Sequence, residues 1–228
     1  MTIEPAVPGA PRVPCAFVLD VTPLRALDDA MRALRSALHA DAAARDAVET
    51  SVTIAGGAAE TVQPFTSPGR WHLPSLRALD GPDGAVARET SPLGDALEAA
   101  MNEIAQRTAL YRDMATLHRR PWLIALVDRA PASGWERAAR RLQAEAADGR
   151  FRFLAVARDA SSVDVLARIA PSEAHVRVLR DGGLAAFFDW LGVALRRLAA
   201  APAGREVALP AADDWALPVD AARAVQVR

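Results

Sequence analysis

VPCAFVLD, residues 13–20, and PWLIALVD, residues 121–128, are two apolar runs that each close on a carboxylate. Short continuous runs of this kind fit strands buried on both faces, as in a parallel sheet covered by helices. Outward from the first run, Leu24, Leu27, Met31, Leu34 and Leu38 recur every three or four residues and predict a helix. Asp28, Asp29, Arg32 and Arg35 fall off its apolar stripe, into solvent. Residues 48–55 and 60–65 predict a hairpin joined through Gly56-Gly57. Residues 66–90 form a long segment rich in Pro and Gly, a length that in compact domains usually marks a functional or mobile loop. A long helix is expected from near Ser91, with Pro92 in its first turn and Leu93, Leu97, Ala100, Ile104, Tyr111 and Met114 along it.

Beyond the second run, Trp135, Ala139 and Leu142 predict a helix, 151–157 a strand, 161–170 a helix and 174–179 a last strand. An amphipathic helix over 183–201 follows, carrying Leu184, Phe187, Phe188, Leu191, Leu195 and Leu198. Strands alternating with helices imply right-handed crossovers. The expected fold is therefore α/β: a doubly wound, mostly parallel six-stranded sheet with helices on both faces and one antiparallel edge strand. Residues 1–12 read as an N-terminal extension, 13–201 as the domain, and 202–228 as an extended tail without helical period, docked on the domain or on a partner.

The 228 residues suit one α/β domain. A net charge of −1 lacks the basic footprint of a nucleic-acid binder. Cys15 is the single cysteine, and the first 14 residues lack the apolar run of a signal peptide, so the expected location is the cytoplasm. No apolar stretch approaches the ~20 residues of a membrane helix, so no membrane contact is expected. All 27 basic residues are arginine. Without lysine the chain cannot be a P-loop enzyme, a protein kinase or a Schiff-base enzyme, because each needs an amine at a defined place.

In open α/β sheets, ligands bind beyond the carboxyl ends of the strands, where the winding reverses. Asp20 and Asp128 both stand at such ends. If their strands are neighbours, the two carboxylates converge on one crevice near the start of the Ser91 helix, which outlines a cation site. The competing reading makes both aspartates caps of strand ends and helix starts.

These residues resemble the von Willebrand factor A family. Asp20-Val21-Thr22-Pro23-Leu24 lies where that family carries Asp-x-Ser-x-Ser, Ser91-Pro92-Leu93-Gly94 is similar to its Thr-Pro-Leu-Gly, and Val127-Asp128-Arg129 stands for its Thr-Asp-Gly. Arg120 to Leu123, Gly134-Trp135, Phe187 to Leu191, 207–210 and Asp214-Trp215 resemble the bacterial TerY-like branch, associated with tellurite resistance and stress. The resemblance implies Mg2+ or Mn2+ held by Asp20, Thr22, Ser91 and Asp128 and completed by a carboxylate from a protein partner. Leu24 occupies a serine position and donates nothing, so the site is degenerate. Arg25 and Arg129 could neutralise the aspartates instead, leaving a metal-free edge.

The expected function is a non-catalytic protein-interaction module of a bacterial stress-response or defence system. Its partner would be a kinase, phosphatase or ATPase of the same system, met by Arg25, Trp71, Arg129 and Ser133. Trp71, with Leu73, Leu76 and Leu79, reads equally as a buried plug or as an apolar contact patch. Two alternatives stand beside this reading. Asp20-Val21-Thr22 resembles the Asp-x-Thr of haloacid dehalogenase-like phosphotransferases, with Asp20 as nucleophile and Asp128 on Mg2+, although the lysine and second late acid of that family are missing. The chain could also be a structural subunit of a larger assembly. His39, His72, His118 and His175 lack ligand spacing, and the arginine pairs at 119–120, 140–141 and 196–197 read as solvated charge.

Overall fold

The structure, a computed structural model, describes residues 10–20, 24–56, 58–71, 92–128, 131 and 133–226. Strand β1 (Val13–Asp20) is buried from Val13 to Leu19 because it lies in the middle of the sheet with helices on both sides. It is followed by α1 (Leu24–Ala40), the short α2 (Ala42–Ala47), β2 (Val48–Ala55) and β3 (Ala59–Thr66). Then come α3 (Leu93–Asp113), β4 (Trp122–Val127), α4 (Glu136–Ala147), β5 (Arg152–Ala157), α5 (Val163–Ile169), β6 (Val176–Leu179) and α6 (Gly183–Ala200). A two-residue strand β7 (Ala216–Leu217) and helix α7 (Val219–Gln226) close the described chain.

The strands stand in the order β3-β2-β1-β4-β5-β6-β7. Five are parallel, whereas β3 runs antiparallel to β2 and β7 antiparallel to β6. All six expected strands are present, in the doubly wound arrangement expected. The structure adds β7, which makes seven strands and a second antiparallel edge.

Alternation along β1 separates two cores. Val13, Cys15, Phe17 and Leu19 join Leu27, Met31, Leu34 and Leu38 of α1 and Phe187, Phe188, Leu191 and Leu195 of α6. Ala16 and Val18 face the other layer, with Leu93, Leu97 and Met101 of α3 and Ala138, Ala139 and Leu142 of α4. Period-two alternation with both faces apolar is what a central strand between two helical layers requires. Burial pushes the Cys15 thiol well above its usual range and leaves it a small apolar side chain.

Two expectations need correction, and one helix is added. Asp28 is only 4% exposed, not in solvent, and accepts a hydrogen bond from Arg32 one turn on. Helix α2, capped by Asp41 through the Ala44 N–H at 2.9 Å, has no apolar stripe to announce it. The tail is not extended throughout, since it carries α7. The segment before α7 lies against the body: Trp190 Nε1 donates to Pro210 O at 2.9 Å, and Trp215 is buried against Phe187 and Trp190. Arg119 donates to the carbonyls of Leu198 and Ala201, both at 2.7 Å, and to those of Pro202 and Arg205. That guanidinium satisfies the last carbonyls of α6, which have no partners within their own helix.

Candidate functional site

The winding of the sheet reverses between β1 and β4, and Asp20 and Asp128 sit at the carboxyl ends of these two strands. Asp20 pairs with Val127 in register, and the Asp128 N–H donates to the Asp20 carbonyl at 2.8 Å. The two aspartates are thus backbone neighbours on one rim. The start of α3 approaches the same rim. A Cβ on Gly94 would come within 2.3 Å of the Gly134 carbonyl, so only glycine lets the helix pack this closely on the 133–135 segment.

That segment is stapled in place. The Trp135 indole is buried and donates to the Pro131 carbonyl at 3.2 Å, Arg168 lies 4.8 Å from its ring centroid, and the Gly134 N–H donates to Glu136 at 2.9 Å. Gly134 adopts φ +92°, a left-handed conformation suited to glycine. Ser133 is exposed on this segment.

Two residues that the sequence reading missed complete the rim. Arg158 directly follows β5, and its N–H donates to the Val127 carbonyl at 2.8 Å, extending the ladder by one residue. Its Nη1 lies 3.4 Å from both carboxylate oxygens of Asp128. Ser162, buried at the end of the 160–162 turn, donates its hydroxyl to the Asp128 carbonyl at 2.9 Å. The signal for Arg158 was present, because FRFLAVA at 151–157 is another apolar run and the residue after it must reach the same rim.

Beside Arg158 opens a groove of about 630 Å3 between α1 and the start of α6, lined by Asp29, Ala33, Arg180, Gly183 and Leu184 among others. Arg180 is held there by its Nε, which donates to the Asp213 carbonyl at 2.9 Å.

Thr22, Ser91 and Arg129 lie outside the described residues, as do residues 72–90 of the long loop. Leu24 and Arg25 begin α1, but their side chains are likewise outside the description. Trp71 requires a correction as a partner-contact residue: it is only 3% exposed, packs in the core shared with α1, and donates its indole N–H to the Thr66 carbonyl at 3.3 Å. It is a buried plug. Arg35 fixes the same turn by donating to the Pro68 carbonyl at 3.2 Å.

A hard divalent ion wants about six oxygen ligands around one point. Among the described residues, no three His, Cys, Asp or Glu side chains converge in that way. More decisively, the Asp128 carboxylate faces a guanidinium, and a second positive charge placed against it would be repelled. The described residues therefore do not fit a divalent ion at Asp128.

No family model matches the sequence, and no curated protein matches it. In structure the chain is similar to the proximal thread matrix protein 1 of the mussel byssus, with 13% identity and a TM-score of 0.50 over 82% of this chain and 49% of that one. It is similar to the N-terminal domain of TFIIH p34, with 14% identity and a TM-score of 0.50 over 80% of this chain and 97% of that one. A von Willebrand factor type A protein from Catenulispora acidiphila gives 16% identity and a TM-score of 0.49 over 82% and 43%. The chain spans about half the length of the mussel protein and less of the Catenulispora one. At these identities the likeness is one of fold. No helix among the described residues is long and apolar enough to cross a membrane.

Proposed function

We propose that this chain is a non-catalytic protein-interaction module of the von Willebrand A type, which grips a protein partner at the carboxyl edge of its sheet. The observation that carries this reading is the meeting of Asp20 and Asp128 at adjacent strand ends where the winding reverses, beside the glycine-tight junction of α3 with the 133–135 segment. A rigid rim with charge on it suits recognition, because little order is lost when a partner docks. The finer reading rests on the motif resemblance: a cytoplasmic TerY-like module of a bacterial stress-response or defence system, assembling with a kinase, phosphatase or ATPase that offers a carboxylate. On this reading the grip does not depend on Mg2+ or Mn2+.

The test is a pull-down from the source cells with the wild type, Asp20→Ala and Asp128→Ala, each with and without chelator. Capture should drop at least tenfold in both variants and be indifferent to the chelator. Undiminished capture by both variants would remove this edge from the binding surface.

A further inference from the structure

We propose that Arg158 takes the place of a divalent ion at this rim: its guanidinium neutralises the Asp128 carboxylate and excludes a metal. The inference rests on the edge being the docking site and names what supplies the countercharge there. The contact is symmetric, with Nη1 3.4 Å from each Asp128 oxygen, so the guanidinium stands over the carboxylate as a cation would. Its backbone is pinned, since the Arg158 N–H extends the β4–β5 ladder, and Asp128 is pinned from the other side by Ser162. The pair is therefore held by both main chains, and the arginine does not have to be recruited from a flexible arm.

The contact is also long and partly open, with the Arg158 side chain 40% and the Asp128 side chain 21% exposed. A close, dry fork would be a structural pair. A loose one at a surface contributes little to stability. Arg158 also lines the groove between α1 and α6, together with Asp29, Arg180 and Asp181. Guanidinium keeps its charge at every working pH and recognises a carboxylate in a plane, whereas a metal must first bind and can be stripped by chelators.

The experiment is a Mn2+ titration by calorimetry of the full chain as wild type, Arg158→Gln, Arg158→Lys and the double variant Arg158→Gln/Asp128→Asn, with thermal melts confirming that each is folded. Arg158→Gln should bind Mn2+ at least tenfold more tightly than the wild type, Arg158→Lys should behave as the wild type, and the double variant should lose the gain. Equal Mn2+ affinity of the wild type and Arg158→Gln, or no binding by either, would overturn the proposal, as would a gain that survives in the double variant. Such a failure, with partner capture still lost in Asp128→Ala, would discard the role of Arg158 and leave edge docking intact.

Discussion

Glu49 lies at the amino end of β2 and Asp128 just past the carboxyl end of β4, and the sheet treats these two carboxylates in opposite ways. Glu49 is 7% exposed and is met by three side chains: Arg107 Nε at 2.7 Å, the Tyr111 hydroxyl, and Arg12 at 3.9 Å. Burial alone would lower the Arg107 guanidinium, but its bonds to Glu49 and Tyr111 raise it, so its charge is secure. Asp128 has a more open contact, to Arg158 at 3.4 Å, and is three times as exposed. A buried acid with short bonds from two helix positions ties α3 to β2 and has no room for a newcomer. An acid at the rim with a long, part-exposed contact costs the fold little. The amino edge is thus tied down for stability, and the carboxyl edge is the one left for recognition on the function proposed above.

The largest expected effect breaks the first half of that contrast. Glu49→Ala should destabilise the protein by about 3–5 kcal/mol in a urea titration, because it strands a partly buried guanidinium and a buried phenol. Asp128→Ala should cost under about 1 kcal/mol, as exposed pairs do. Similar losses from the two would erase the distinction. An intermediate effect probes the rigidity of the rim. Gly94→Ala gains helix propensity but forces a Cβ to 2.3 Å from the Gly134 carbonyl, and should cost about 1–3 kcal/mol net, with a change in Trp135 fluorescence. An unchanged midpoint would mean that the 133–135 segment gives way freely.

The smallest effect concerns pH at the amino edge. Burial, and then the Glu49 carboxylate, push the Tyr111 phenol above its usual range. Below about pH 10 the phenol keeps its proton whether the chain is folded or not. Above that, the unfolded chain releases the proton and the folded one does not, so this group's contribution falls as pH rises. Tyr111→Phe, which cannot ionise, should be less stable than the wild type at pH 8, with the gap narrowing by pH 11. A gap of constant size would show that Tyr111 does not titrate differently in the two states.

What was legible in the sequence follows from range. VPCAFVLD and PWLIALVD carry their environment in their own composition, because a strand covered on both faces needs apolar residues at every position. The four long helices α1, α3, α4 and α6 show their stripes in the same local way. Glu49 meets Arg107 across 58 residues and Asp128 meets Arg158 across 30, and such pairs have no local signature. Asp28 misleads for the same reason: its own helix places it off the apolar stripe, yet the surrounding layers cover it. Helix α2, AAARDA, is held by its cap and by packing, so it lacks the periodicity that sequence reading depends on.

Among the described residues the outer side of β6 is closed by Ala216 and Leu217, which pair with Leu179 and Val178. At the opposite margin β3 carries an exposed Pro64, a residue that cannot extend a ladder. One margin is thus blunted within its own strand, and the other is covered by a separate short segment that brings Trp215 onto the aromatic cluster around Phe187 with it. Removing residues 202–217 would leave the β6 backbone open to a second molecule and uncover that cluster, so the same segment serves the sheet edge and the core at once.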